Sequence, residues 1–163
     1  MVEQGDRAPD FTVPIARGGA YNDVEEFTLS ERLGDGPIVL AFFPAAFTSG
    51  CTEELCTFRD SMATFNDLDA SVYGISTDLP FAQNTFIQRE GLNFPLLSDY
   101  EHDAIEAYGV VREGFYDVMR VAERSVFVID CEGIVAYRWV REGENPDFER
   151  LVEEIRGAVE RAR

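Results

Sequence analysis

The amino-acid sequence predicts an α/β fold with a central mixed β-sheet flanked by helices. Strand-like apolar segments alternate with amphipathic helical segments along most of the chain, a pattern typical of parallel strands joined by helices. Near the end, two strand-like segments separated by a short turn precede the last helical segment, and such a hairpin adds antiparallel strands to the sheet. The length of 163 residues suits one domain, which we expect to cover residues 1–163.

The first half of the chain contains three predicted strands and one long predicted helix. Residues 10–14 (DFTVP) and 25–30 (EEFTLS) predict short strands on either side of a turn region rich in Gly and Asn. Residues 36–44 (GPIVLAFFP) form a continuous apolar run, which is typical of a central buried strand. Residues 51–68 predict one amphipathic helix, because apolar side chains recur at steps of three and four residues. These side chains are Leu55, Phe58, Met62, Phe65 and Leu68.

The second half of the chain alternates in the same way and ends in a hairpin and a helix. The predicted strands are residues 71–78 (SVYGISTD), 94–99 (FPLLSD), 124–130 (RSVFVID) and 134–140 (IVAYRWV). The predicted helices are residues 80–90, 102–109 and 146–162. The first of these helices begins with Pro and is followed by Gly, as helices commonly are. The Cys-Glu-Gly turn at 131–133 joins the last two strands.

The charge of the chain is strongly acidic. Acidic residues outnumber basic ones by 31 to 14, which gives a formal net charge of −17, and every basic residue is Arg. This charge argues against nucleic acid and anionic membranes as partners. Two interpretations of the acidic surface remain open: simple solubility, or adaptation to a salt-rich cytoplasm, in which self-repulsion is screened.

The N-terminal segment and the hydropathy of the chain predict a cytoplasmic protein. The first residues (MVEQGDRAPDF) are polar and acidic with no apolar run behind them, which is unlike a signal peptide. No stretch approaches the 18 or so consecutive apolar residues of a membrane-spanning helix. We therefore expect no membrane partner.

The three cysteines, Cys51, Cys56 and Cys131, favour redox chemistry over structural disulfides or metal binding. A secreted disulfide scaffold usually has a larger and even number of cysteines, whereas this chain has three. A zinc site would need further ligands, but His102 is the single histidine and there is no second Cys pair. We expect no metal and no cofactor.

Cys51 lies at the predicted junction between the buried strand and the long helix. Free amides and the positive end of the dipole at a helix start stabilise a thiolate, which is the nucleophilic form of cysteine. Thr48 places a hydroxyl on the approach loop, and Pro44 ends the strand and can exclude water from one side. The alternative is a buried, inert cysteine at an apolar joint between strand and helix.

Two carboxylates and one guanidinium bear on the charge at this junction. Glu53 and Glu54 fall in the first turns of the helix, where they suit the helix dipole but oppose a thiolate. A cation must compensate for them, and Arg124, which begins a predicted strand, is the candidate. The alternative for Arg124 is an ordinary surface arginine.

Six segments of the chain resemble successive landmarks of the peroxiredoxins. In family order these are GDRAPDF, FFPAAFTSGCTEELCTFRD, GISTD, FPLLSD, AYGV and RSVFVID, over about residues 5–140. The second contains the pattern Pro-x-x-x-Thr-x-x-Cys, as Pro44, Thr48 and Cys51. The sequence is most similar to the alkyl hydroperoxide reductase E-like branch, with PrxQ (bacterioferritin comigratory protein) close behind.

The resemblance implies a thioredoxin-like fold and thiol-dependent reduction of hydrogen peroxide and organic hydroperoxides. By position, Cys51 would be the peroxidatic cysteine and would form a sulfenic acid. Thr48 would hydrogen-bond the peroxide, and Arg124 would stabilise both the thiolate and the polarised O–O bond. Pro44 would shield the thiolate from water, and Glu54 would orient Arg124.

The resemblance also implies partners. These are a peroxide substrate, a thiol reductant such as a thioredoxin- or glutaredoxin-like protein, and a second copy of the chain in a homodimer or larger homo-oligomer. Two departures from the family stand out: Ser49 replaces a common Pro, and the segments of branches with a C-terminal resolving cysteine are absent. Cys131 does not match that resolving position, and we expect it to be incidental.

Cys56 has two interpretations. In the PrxQ branch a cysteine five residues after the peroxidatic one resolves the sulfenic acid into an intramolecular disulfide; otherwise Cys56 is a small core residue. In an ideal helix, residues five apart have Cα atoms about 8.6 Å apart. A disulfide requires a Cα separation below roughly 7 Å. If Cys56 resolves Cys51, the first turn of the helix must therefore unwind.

Two other functions are alternatives to peroxide reduction. A thiol-disulfide oxidoreductase of thioredoxin-like fold would want Cys-x-x-Cys, whereas this chain has four residues between its two close cysteines. A non-enzymatic chaperone would need an exposed apolar patch and would not depend on Cys51. Thr48 and the cysteine spacing favour the peroxidase.

Overall fold

A computed structural model describes residues 2–163, which fold into nine strands and five helices. The strands are β1 (Thr12–Ala16), β2 (Val24–Thr28), β3 (Ile38–Phe42), β4 (Ser71–Ser76), β5 (Leu96–Ser98), β6 (Val111–Phe115), β7 (Met119–Ala122), β8 (Ser125–Ile129) and β9 (Val135–Val140). The helices are α1 (Ser49–Asp60), α2 (Met62–Asp67), α3 (Pro80–Glu90), α4 (Asp103–Tyr108) and α5 (Phe148–Ala162).

The central sheet is mixed, as the sequence predicts. Over residues 2–163 its seven strands run in the order β2-β1-β5-β4-β3-β8-β9. Strands β3, β4 and β5 are parallel, whereas the β1–β2 hairpin and the β8–β9 hairpin are antiparallel additions on the two sides. Strand β8 pairs with β3 in antiparallel register, with Ser125 opposite Phe42. This pairing brings the start of β8 beside the chain that leaves β3.

The sheet separates two apolar cores. Side chains of β3 alternate between them: Val39 and Ala41 join the core under α1, α2, α3 and α5, and Leu40 and Phe42 join the core under α4. Every residue of β3 is buried, which explains why its sequence is continuously apolar. Cys51 belongs to the first core. None of the helices over residues 2–163 is long and apolar enough to cross a bilayer.

The single helix predicted over residues 51–68 is wrong, because the structure has two. Helix α1 ends at Asp60 and α2 begins at Met62, with Ser61 between them in a non-helical conformation (φ −105°, ψ 1°). Both pieces keep their apolar side chains in the first core, so the hydrophobic pattern continues across the break. Periodicity alone therefore could not reveal the break.

The ribbon formed by β6 and β7 was not predicted from the sequence. Most of its residues are at least partly exposed, so no apolar alternation marks it. Its register is irregular between Arg112 and Phe115, where Gly114 adopts a left-handed conformation (φ 68°). A short 3₁₀ turn at Leu29–Arg32, after β2, was likewise not predicted. The remaining elements lie within a few residues of their predicted positions.

Candidate active site

Cys51 is the third residue of α1, directly beyond the carboxyl end of the central strand β3. The chain leaves β3 through Pro44, which is buried, and turns at Phe47, whose φ is 70°. Thr48 precedes the helix, and its carbonyl accepts the amide of Thr52 at 2.9 Å, which closes the first turn. The Cys51 side chain is 1% exposed. The thiol thus lies at the positive end of α1 with little access to water.

Arg124 joins Cys51 and Glu54 through one guanidinium group. Its Nη2 donates to Cys51 Sγ at 3.3 Å, and its Nη1 donates to Glu54 Oε1 at 2.9 Å. Arg124 is 5% exposed and Glu54 is fully buried. Because Arg124 directly precedes Ser125, the pairing of β8 with β3 delivers it to this place. The structure therefore brings together three of the predicted site residues from two distant parts of the chain.

The ionisation of the buried pair is set by competition between burial and charge. Burial raises the pKa of Glu54 to about 7, although the neighbouring Arg124 acts to lower it. Burial acts to lower the pKa of Arg124, but the charges of Glu54 and Cys51 outweigh it and raise the pKa, so the guanidinium stays protonated. Within residues 2–163, Glu54 Oε2 is buried with no hydrogen-bond partner. Glu53, by contrast, is exposed and faces water.

Thr48 is hydrogen-bonded back into its own loop. Its hydroxyl donates to the carbonyl of Ala45 at 2.8 Å, and the side chain is only partly exposed. The hydroxyl proton is thereby used, while the oxygen keeps lone pairs that can accept a hydrogen bond. The Thr48 oxygen can therefore accept a hydrogen bond from a hydroxyl group that enters the site.

Asp78 supports the same loop, although it was not predicted as a site residue from the sequence. Its Oδ2 accepts the backbone amide of Ala46 at 2.8 Å and the hydroxyl of Ser76 at 2.7 Å. Ser76 also accepts a hydrogen bond from Gln83, which is fully buried. Ser76 and Asp78 lie in the segment GISTD, so a signal was present in the sequence, but nothing there connects it to residue 46.

Asn145 and Phe148 complete the surroundings of Arg124 and were also missed. Asn145 Oδ1 accepts the Nε–H of Arg124 at 3.2 Å. The guanidinium carbon lies 5.5 Å from the centroid of the Phe148 ring, within the range of a cation–π contact. Both residues come from the segment around the start of α5, far along the chain, where the sequence shows only a helix start.

Cys56 lies within α1 and is half-buried against the same core as Cys51. Burial raises the pKa of the Cys56 thiol; Arg59 lowers it, and Glu90 and Asp60 raise it. Both cysteines lie in α1, which extends over Ser49–Asp60. Residues five apart in an ideal helix have Cα atoms about 8.6 Å apart, so the intact helix keeps the two thiols separate. Both are free thiols in this structure.

Cys131 is exposed in the turn between β8 and β9, as predicted for the Cys-Glu-Gly segment. Its thiol is free, and the turn lies at the end of β8 away from Arg124.

Comparison with known proteins identifies the family. The model of the AhpC/TSA family matches residues 4–138. The chain belongs to this family. Peroxiredoxin Bcp of Bacillus subtilis is 38% identical over 140 residues, which cover 85% of each chain. Peroxiredoxin Bcp of Escherichia coli is 35% identical over 138 residues, covering 83% of this chain and 84% of the relative.

A solved structure is similar over the whole chain. The crystal structure of peroxidoxin BcpB from Mycobacterium tuberculosis has a TM-score of 0.84 and 34% identity, and the match covers 100% of this chain and 99% of that one. The chain is thus a peroxiredoxin: it has a thioredoxin-like fold and is a thiol-dependent peroxidase, which confirms the class expected from the sequence. The two curated relatives carry the name Bcp, so they support a resemblance to the PrxQ (bacterioferritin comigratory protein) branch.

Proposed function

We propose that Cys51 is the peroxidatic cysteine of this enzyme and that Arg124, Glu54, Thr48 and Pro44 form its catalytic surroundings. The observation that carries the proposal is the 3.3 Å hydrogen bond from Arg124 Nη2 to Cys51 Sγ in a site closed to bulk water. A buried guanidinium beside a thiol at a helix start favours the thiolate, which is the form that attacks a peroxide.

The proposed first step is a nucleophilic displacement on oxygen. The Cys51 thiolate attacks one oxygen of ROOH, the S–O bond forms and the O–O bond breaks. Sulfur is oxidised to a sulfenic acid, and the departing alkoxide or hydroxide takes up a proton to leave as alcohol or water. Arg124 stabilises the negative charge that moves from sulfur to the leaving oxygen.

Thr48 and Pro44 serve orientation and exclusion. The Thr48 oxygen, whose proton is bonded to Ala45, accepts the O–H of the hydroperoxide and so directs the peroxide toward sulfur. Pro44, buried at the end of β3, keeps water from one side of the thiolate. Glu54 holds Nη1 of Arg124 at 2.9 Å and thereby aims Nη2 at Cys51. It acts on the reaction through Arg124.

Cys56 completes the cycle in this proposal. Its thiol attacks the sulfenic sulfur, the S–O bond breaks, water leaves and an intramolecular disulfide forms. A dithiol such as a thioredoxin- or glutaredoxin-like protein then reduces the disulfide by exchange and becomes oxidised itself. The break at Ser61 separates α1 from α2, so the unwinding that this step requires need not extend into α2.

We infer a single domain over residues 1–163 that acts in the cytoplasm as a homodimer or larger homo-oligomer. The net charge of −17 and the use of Arg alone as the basic residue support a surface adapted to high salt.

The decisive experiment measures peroxide consumption with dithiothreitol as the reductant. Cys51→Ser should abolish turnover, because serine has no nucleophile of comparable reactivity at neutral pH. Cys131→Ser is the matched control and should keep wild-type turnover, since its thiol is exposed in a turn at the other end of β8. Normal turnover by Cys51→Ser would refute the proposed site.

A further inference from the structure

We infer that Asn145 is a positioning residue for the peroxidase reaction: it fixes the guanidinium of Arg124 against Cys51. The inference rests on the proposed function and adds a residue to it. Asn145 lies beyond residue 138, where the match to the AhpC/TSA family model ends, so that comparison assigns it no role.

Each nitrogen of the Arg124 guanidinium meets a different partner. Nη1 donates to Glu54 at 2.9 Å, Nη2 donates to Cys51 at 3.3 Å, and Nε donates to Asn145 Oδ1 at 3.2 Å. With Glu54 alone as an anchor, the planar group could rotate about that ion pair and carry Nη2 away from sulfur. A second anchor at Nε removes this freedom. The ring of Phe148 lies 5.5 Å from the guanidinium carbon and limits tilting.

The orientation of the Asn145 amide follows from its partner. Because Nε–H can only donate, the amide oxygen must face Arg124, which leaves the NH₂ group facing the first turn of α1. A Cβ atom at Gly50 would lie 3.0 Å from Asn145 Nδ2 and 3.3 Å from Arg124 Nη2. Glycine beside the catalytic cysteine therefore lets both side chains lie against the helix start.

The segment that carries Asn145 is fixed to Arg124 at its beginning and to α5 at its end. The amide of Arg141 donates to the Arg124 carbonyl at 2.9 Å, and its side chain donates to Glu123 Oε1 at 2.9 Å. At the other end, the Asp147 side chain accepts the amide of Arg150 and caps α5. Asn145 is exposed, but the short segment that carries it is held by hydrogen bonds at both ends.

The test is the rate of Cys51 oxidation by hydrogen peroxide in a single turnover, measured across pH. Removing a hydrogen bond to a charged group should slow oxidation about tenfold in Asn145→Ala. Asn145→Asp keeps an oxygen for Nε, so its rate at the upper end of the pH range should be much closer to that of the wild type than to that of the alanine variant. Glu144→Gln, an exposed neighbour in the same segment, should match the wild type.

A double-mutant cycle separates action through Arg124 from any other effect. In the Arg124→Ala background, Asn145→Ala should cause no further loss of rate. Three results would overturn the inference. These are an equal loss of rate in both backgrounds, a wild-type rate for Asn145→Ala, and an Asn145→Asp rate no faster than that of Asn145→Ala. The proposed function fails separately, through continued turnover of Cys51→Ser.

Discussion

Arg124 donates a hydrogen bond to Cys51 across 73 residues of sequence, with 3.3 Å between Nη2 and Sγ. The contact depends on the antiparallel pairing of β8 with β3, which places Ser125 opposite Phe42. The helix that follows one buried strand and the residue that precedes its neighbour in the sheet thus bring the Cys51 thiol and the Arg124 guanidinium together. Both strands are fully buried, so the sheet fixes the backbone on either side of the contact.

Arg124→Ala should slow the oxidation of Cys51. Without the guanidinium, the negative charge on the Cys51 sulfur and on the leaving oxygen is less well stabilised. We expect a loss of about 10- to 100-fold at pH 7, the value of a hydrogen bond to a charged group. Stopped-flow measurement of peroxide consumption from pH 5 to pH 10 tests this.

A matched control for that experiment is Arg156→Ala. Arg156 also pairs with glutamates, but on the exposed face of α5. Its removal should leave the rate and its pH profile unchanged. An Arg124→Ala profile that coincides with that of the wild type would remove Arg124 from the site.

Glu54→Gln should change how the stability of the fold depends on pH. Burial raises the pKa of Glu54 from 4.5 to about 7. Between these values the unfolded chain has released the proton while the folded chain retains it, so the free energy of unfolding falls as pH rises through this window. The loss is up to about 3 kcal/mol and is absent in Glu54→Gln. Urea unfolding at pH 4.5 and pH 7.5 measures it.

The exposed neighbour Glu53 provides the control for this titration. Glu53→Gln should reproduce the pH dependence of the wild type, because Glu53 faces water in both folded and unfolded chains. If wild type and Glu54→Gln lose stability in parallel between the two pH values, Glu54 is ionised throughout and the raised pKa is wrong.

The seven strands of the central sheet and the cysteine at the helix start could be predicted because their signals are local. A continuous apolar run predicted β3, and the change to helical periodicity placed Cys51 at the start of α1. The break at Ser61 was missed because both sides share one apolar face. Arg124 could be proposed from its charge and from the family resemblance. Asp78 and Asn145 could not, since they act through contacts to Ala46 and Arg124 that only the folded chain creates.

The melting temperature should rise with salt if the acidic surface is salt-adapted. A net charge of −17 repels itself strongly where screening is weak. The Debye length falls from about 30 Å at 0.01 M to about 3 Å at 1 M salt. Thermal unfolding monitored by circular dichroism should show a steady rise over this range of potassium chloride. Sucrose at matched osmolality is the control, and a flat or falling curve in potassium chloride would count against adaptation to salt.

Cys56 should form a disulfide with Cys51 after one equivalent of peroxide. Since both lie in α1, the helix start must unwind before the sulfurs can meet. Peptide mass mapping should find the Cys51–Cys56 bond, and amide hydrogen exchange over residues 50–57 should be faster in the oxidised protein than in the reduced one. Exchange in α4, which packs in the core on the other face of the sheet, serves as the internal reference.

The Cys56→Ser variant shows whether that disulfide protects the enzyme. Burial raises the pKa of the Cys56 thiol in the intact helix, so we expect it to react only after unwinding exposes it. Without Cys56 the sulfenic acid at Cys51 should persist, become over-oxidised to sulfinic acid at excess peroxide, and require external thiol for each turnover. Cys131→Ser should behave as the wild type. If the wild type instead keeps a stable sulfenic acid at Cys51 while Cys56 stays free, then Cys56 is a core residue. A thiol that could reach Cys51 would have condensed with its sulfenic acid.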